Sequence, residues 1–459
     1  MKLLCRSLLA AAGLAIMAWA HFGYLRLDPA SPWSSALLFL DDRPRDAPRG
    51  PTGLKLLPLT VRELPPGPIA AAVINALGAQ GGDRRRSLAA QLCTKLLLVD
   101  PNDIGIGPSA LQSGRMPRPG RDEILAGCQA AARDRLATAG HDFTVVGVLR
   151  RDVALLVDCY VVPPHPSLAA VFGAGDEATH PALLLQLTAA EIRDGKVREK
   201  LKTLFPPDKF TAVIPWVRAD RGPYYLYLAG EGLLLLGGSL ALIALYGLLS
   251  RRIGWSVVRD PLAELAARPK LLGTLHLLYF GLVLLASMIV YELPTLQTVL
   301  FSALRQVAAD PHNPLGVAAK AYHSLNIPRA AAVTFGVNFF LGSCVVITLP
   351  SLVVPGSGVL LAVIRATLWG LLLAPTFVLL SFGMLAHSGT LLLEGEGYIL
   401  AAFFGLLVPL YLLHDDQGRG ILRRYGRALV MNLKAMIVVA VVLAVAACYE
   451  AVEVILMAR

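Results

Sequence analysis

The chain has 459 residues and a formal net charge of +10; 55% of it is hydrophobic, only 16% is charged, and the mean hydropathy is +0.60. A soluble domain carries about 25% charged residues, so composition excludes a simple soluble protein and marks an integral membrane protein. The basic balance suits cytoplasmic loops beside anionic lipid; it does not indicate a nucleic-acid partner, because no basic helix or aromatic–basic platform accompanies it.

In chain order, residues 1–25 come first. An apolar run over 7–25 follows Lys2 and Arg6. Ala18-Trp-Ala20 resembles a signal-peptidase site, so the segment reads as a signal anchor or a cleaved signal peptide. The run continues through His21-Phe-Gly-Tyr-Leu25, which favours an uncleaved anchor. Either way the next domain is exported.

Residues 26–222 hold most of the Arg, Asp, Pro and Gly and read as an α+β domain outside the cytoplasm. Linker-like material covers 41–53. The Pro119-Gly120 turn predicts an amphipathic helix over Asp122 to Ala139. Asp142 to Leu149 reads as a strand, Arg150-Arg-Asp152 as a turn, and Val153 to Val161 as the neighbouring strand. Glu191 to Leu204 reads as a charged, solvated helix. Three of the six cysteines, Cys93, Cys128 and Cys159, fall here, and in an exported domain a disulfide among them stays open. Cys5, Cys344 and Cys448 complete the set; no CxxC pair exists, so neither a zinc site nor a redox dithiol is indicated.

Residues 223–459 read as an all-α polytopic bundle. Spans are expected at about 224–249, 272–292, 330–349, 357–385, 391–413 and 431–456, each with roughly the 20 apolar residues a crossing needs. That makes about six spans beyond the N-terminal segment. Arg251, Arg252, Arg259, Arg268 and Lys270 fill one loop, and Arg419, Arg423, Arg424 and Arg427 another. The positive-inside rule places both in the cytoplasm and the 293–329 loop outside. The N-terminus then lies inside, and the soluble domain and C-terminus outside. Pro350, Pro355, Gly356, Gly358 and Pro375 break the stretch 350–386, leaving a kinked span or a re-entrant piece.

The most informative stretch begins at His387 and carries Glu394 and Glu396. A charged side chain at the bilayer centre costs about 2.5–3.5 kcal/mol on insertion scales. On a helix the two glutamates sit about 200° apart, so they cannot share a proton as a dyad on one face, while His387 and Glu394, seven apart, align. Two readings stand: both glutamates in the first turns of a span, favoured by the helix dipole, or Glu396 deeper and facing other helices. Arg365, too deep to snorkel, is the expected partner of Glu394 or Glu396. Glu231 is a second glycine-flanked glutamate. Asn338 either hydrogen-bonds between helices or packs. Gly336, Gly342 and Gly370 suit close helix approach.

Chemistry-bearing motifs do not converge. There is no Gly-x4-Gly-Lys-Ser/Thr phosphate loop, so the chain is not itself an ATPase, and no HExxH. Gly173-Ala-Gly-Asp176 matches an intramembrane aspartyl protease motif only in letters, since it lies in a polar domain. Gly356-Ser-Gly358 reads as a loop. No catalytic residue, cofactor or metal is expected.

Two resemblances accompany this reading. Ser113-Gly-Arg-Met-Pro-Arg-Pro-Gly-Arg-Asp-Glu-Ile-Leu-Ala-Gly127, followed by Val145-Val-Gly-Val-Leu149, resembles the periplasmic core domain of MacB/FtsX-type ABC permeases, which is structural in that family. The run 329–413 resembles the stage II sporulation protein M family. Asn338 and Gly342 match its first element and Gly370 its second; His387, Gly389, Glu394, Ala401 and Gly405 match its third. This implies a non-enzymatic membrane scaffold that organises partner proteins at the bacterial plasma membrane. The first resemblance implies instead a permease subunit, with the amphipathic segment Asp260 to Arg268 in the 251–271 loop facing a separate ATPase.

Overall fold

A computed structural model describes residues 2–25, 36–40, 55–65, 71, 94–128, 130, 134–150, 159–172, 178–186, 211–213, 221–293, 296–297, 300–301, 304, 307–308, 312–376, 378–413 and 420–458. The expected linker at 41–53, the helix at 191–204, the 173–176 motif and Cys93 lie outside these residues. The chain divides into two units. One comprises 1–23, 221–376 and 380–459, and the other is essentially 24–220.

The described part of the second unit is one mixed sheet. Its strands are β1 (Ala36–Leu40), β2 (Lys55–Leu64), β3 (Thr94–Leu98), β4 (Leu111–Gly114), β5 (Glu123–Ala126), β6 (Arg135–Thr138), β7 (His141–Leu149), β8 (Cys159–Val162), β9 (Thr179–Gln186) and β10 (Thr211–Val213). The order is β10-β1-β9-β2-β3-β8-β5-β7-β4, with β6 on β7. β3 and β8 run parallel, as do β5 and β7. Both faces of the central strands are covered, as continuous apolar runs require. Leu97, Leu125 and Val161 enter one core, while Leu96, Ile124 and Tyr160 enter the other. Pro58, which lacks an N–H, sits in β2 opposite Leu183, before pairing with β3 begins at Thr60.

Two sequence expectations are corrected here. Asp122 to Ala139 is not a helix: it forms β5 and β6. Ile124, Leu125 and Ala126 are all fully buried, because β5 lies between β7 and β8 with a core on each face. A short strand buried on both sides has no alternation to tell it from a helix. The strand expected over Val153 to Val161 is described only as β8, and it pairs with β3 and β5 rather than with β7.

The first unit is helical: α1 (Lys2–Leu25), α2 (Arg221–Arg252), α3 (Ser256–Ala267), α4 (Pro269–Glu292), α5 (Pro314–His323), α6 (Ile327–Val353), α7 (Ser357–Leu373), α8 (Val378–Leu413) and α9 (Ile421–Ala458). Five of these, α2, α4, α6, α8 and α9, are long and apolar enough to cross a membrane. α7, which covers the first part of the expected span 357–385, is a shorter apolar helix of 17 residues, so among the described residues the six expected spans appear as five long helices and one short one. The expected spans 357–385 and 391–413 meet at the wrong place: α7 stops at Leu373, and α8 runs unbroken for 36 residues. The break falls at 374–376, around Pro375. Gln297 fastens it, donating from Nε2 to the carbonyls of Leu372 and Ala374 and accepting from Thr376. Residues Val337–Thr348 of α6 form a π-helical segment. Gly356 turns the chain from α6 into α7 with φ +85°, a conformation that favours glycine.

Helices approach closely where glycine permits. A Cβ on Gly370 would lie 2.2 Å from the Val283 carbonyl of α4, and one on Gly237 2.4 Å from the Ala10 amide of α1. Gly336 has open space around it, so the close approach expected there is absent.

Candidate functional site

α8 is the axis of the bundle: from Thr390 to Gly405 almost every residue is buried. Its glycines face neighbours whose side chains fill the space a Cβ would take, Tyr449 at Gly389, Phe280 at Gly395 and Leu443 at Gly397. Polar side chains on this helix reach outward to five others.

The first cluster is built on Glu394. Arg365 of α7 donates from Nη2 to Glu394 Oε1 at 2.9 Å, to the Tyr398 hydroxyl at 2.5 Å and to Asn338 Oδ1 at 3.4 Å. Tyr398 donates in turn to Glu394 Oε1 at 2.6 Å, and its ring lies 4.0 Å beneath the guanidinium. Tyr398 also packs against Gly342, which leaves room for it. Helices α6, α7 and α8 are joined at this point.

The second cluster is built on Glu396, which is fully buried. Tyr246 of α2 donates to its Oε1 at 2.7 Å, and His276 of α4 places Nε2 2.5 Å from its Oε2. His276 Nδ1 lies 2.8 Å from the Leu272 carbonyl. Glu394 and Glu396 thus serve different helices, as their 200° separation demands.

A third cluster lies about two turns nearer the start of α8. His387 Nδ1 is 3.2 Å from Glu453 Oε1 of α9, and Thr390 donates to Glu453 Oε2 at 2.8 Å. Ser388 donates to Glu231 of α2 at 3.4 Å. His387, aligned with Glu394 by the heptad spacing, thus pairs with Glu453 instead.

Of the sequence-predicted residues, Asn338, Gly342, Arg365 and Glu394 come together in one cluster. Glu396, His387 and Gly389 belong to other contacts along α8, and Gly370 packs α7 on α4. The first-turn placement of the glutamates is corrected: α8 begins at Val378, so both lie well inside the helix, beyond the reach of its N-terminal dipole. Sequence reasoning missed Tyr246, His276, Tyr398 and Glu453. Each is a polar side chain in an otherwise apolar span, a signal that was present but was followed only for the densest cluster.

Outside the spans, α3 is fastened at two points. Lys434 of α9 donates to Asp260 Oδ2 at 2.7 Å, which holds that carboxyl below its ordinary range, and Tyr411 of α8 donates to Glu264 Oε1 at 2.6 Å. In the sheet unit, Arg115 makes a two-pronged pair with Glu123, both oxygens at 2.6 Å. The Glu123 carboxyl is held down to about 2, first by that bond. Gly114 (φ +83°) faces Gly147 in the neighbouring strand, where a Cβ would lie 2.3 Å from the Val146 carbonyl. These contacts account physically for much of the motif running from Ser113 to Leu149. Nearby, Ser167 Oγ is 2.7 Å from His165 Nδ1 within a short 3-10 turn.

The class these features define is a helical membrane protein with a separate strand-sheet domain. Among the described residues no group of three or more His, Cys, Asp and Glu side chains is placed to hold a metal ion. No protein-family model, curated protein or solved structure matches the chain.

Proposed function

We propose that the chain is a non-enzymatic membrane scaffold of the stage II sporulation protein M type, organising partner proteins at the plasma membrane. One observation carries this reading. Asn338, Gly342 and Glu394, three of the eight positions that resemble that family's pattern, are spread over two helices yet meet in one cluster with Arg365 and Tyr398. Their polar groups are used in joining helices, which suits a rigid platform. In this reading the bilayer surrounds the five long helices and α7, which must also cross for the two basic loops to share one side, and the sheet domain is extracytoplasmic. The two basic loops support that orientation. α3 is bonded both to Tyr411 at the end of α8 and to Lys434 near the start of α9, so both loops lie at one end of the bundle. Backbone-close packing of Gly13 and Gly230 between α1 and α2 supports a retained anchor.

A second reading, a permease subunit served by a separate ATPase, is favoured by α3 itself. An amphipathic helix between two spans, fastened to two further ones, is suited to passing a push from an ATPase into the bundle. Crosslinking of the full-length protein in its native membrane, followed by purification, separates the two. The scaffold reading expects extracytoplasmic partners, such as cell-wall hydrolases, on the sheet domain. An ATPase crosslinked to residues 251–271 overturns it in favour of the permease, and no partner at either place overturns both.

A further inference from the structure

The contact between His276 and Glu396 cannot exist without a proton. The Leu272 carbonyl only accepts hydrogen bonds, so the 2.8 Å contact to it requires that Nδ1 carry hydrogen. The opposite ring nitrogen, Nε2, then stands 2.5 Å from Glu396 Oε2. Were the imidazole neutral and the carboxylate ionised, two lone pairs would face each other at that distance in a site closed to water, where low dielectric magnifies repulsion. One additional proton between the atoms removes the conflict, whichever of the two holds it.

Other groups around the pair do not substitute for this proton. From α2, Tyr246 donates to the other carboxylate oxygen, Oε1. From α4 come His276 and the Phe280 ring, with ring centroids 6.1 Å apart. From α9, Leu443 packs beside Gly397. On α8 itself Glu394 points the other way and is bonded to Arg365 of α7, a cation that does not titrate. His387, Glu453 and Glu231 belong to the cluster nearer the start of α8. Among the described buried glutamates, Glu396 alone has an imidazole at 2.5 Å; the His387–Glu453 contact is 3.2 Å.

We propose that His276 and Glu396 form a proton-binding site within the bundle, one that ties α4 to α8 only while it is occupied. The ligand is a proton exchanged with water. On release the Nε2–Oε2 contact opens, water enters the gap, and the proton passes to it. It leaves behind a neutral imidazole still donating through Nδ1, and a carboxylate still held by Tyr246. The site is independent of whether the bundle gathers partners or moves a substrate, and it makes either activity sensitive to proton supply.

The test uses full-length protein in lipid vesicles, with 15N-labelled histidine observed by solid-state NMR from about pH 5 to about pH 10. The His276 signals are assigned by their loss in His276→Gln. The expected result is an Nδ1 that stays protonated throughout and an Nε2 signal that shifts with pH, accompanied by several-fold faster amide exchange along 272–280 after correction for base catalysis. In Glu396→Gln the amide N–H takes the place of the shared proton, and both responses vanish. Tyr246→Phe keeps both proton-sharing atoms, so it keeps the pH-dependent signal and provides the test should the glutamine variant fail to fold. An Nε2 signal independent of pH in the wild type overturns the proposal, as does a titration unchanged in Glu396→Gln.

Discussion

Removing the Arg365 guanidinium leaves the buried Glu394 carboxylate without its cation, with the Tyr398 hydroxyl still donating to it. Breaking a buried pair from one side typically costs about 3–5 kcal/mol, more than the pair itself contributes. Arg365→Met should therefore lower the thermal stability of the detergent-purified protein sharply. The exchanged pair, Arg365→Glu with Glu394→Arg, should be more stable than either single reversal. A double variant no better than the singles would show that the two side chains do not act together. At the other unit's surface, Glu123 titrates low because of Arg115. Its ion pair contributes above the ordinary carboxylate range near 4.5 and is lost as pH falls through about 2. Amide protection in β4 and β5, after correction for the intrinsic pH dependence of exchange, should accordingly fall in the wild type between neutral pH and about pH 2.5. In Glu123→Gln the same strands should already exchange faster at neutral pH and change less on acidification.

At the scale of elements, α8 explains why part of the site was legible and part was not. A glutamate in an apolar run is visible in any reading of the chain, and the 200° between Glu394 and Glu396 follows from helix geometry alone. That Arg365 would meet one of them also followed from its depth. Which helix each would meet did not follow, because Tyr246 and His276 lie 150 and 120 residues from Glu396, and Glu453 lies 66 residues from His387, and single-chain periodicity carries no information across such distances. The start of α8 was misplaced because proline and glycine mark breaks without saying which one the packing uses. Here the break near Pro375 is fastened by Gln297, and the chain runs straight through Gly389 and Gly395. β5 was lost for the reason already given: strands buried on both faces do not alternate. Glycines offer a direct check on helix contacts. Gly370→Ala should cost about 2 kcal/mol or more, since the added methyl meets backbone of α4 and cannot be accommodated by a rotamer change. Gly336→Ala, with open space, should be neutral or slightly stabilising. Thermal aggregation midpoints of the two purified variants distinguish these outcomes.

For the molecule as a whole, the sharpest question is which side of the membrane each loop faces. Trp255, between α2 and α3, is 74% exposed and flanked by the basic residues of the 251–271 loop. In the proposed orientation a cysteine introduced there, Trp255→Cys, in a variant whose six native cysteines are replaced by serine, reacts with a membrane-impermeant thiol reagent only in inside-out vesicles. Labelling in intact spheroplasts would reverse the topology and place the sheet domain in the cytoplasm. The sheet raises a matter of timing. β1 and β2 are made first, yet their common neighbour β9 is separated from β2 by most of the domain, and β10, at β1's other edge, comes just before α2. At ordinary synthesis rates of about 5–20 residues per second, these early strands wait on the order of ten seconds for β9. During that wait their open edges invite pairing with other chains. The domain therefore cannot close before α2, the long helix that follows it, is being made.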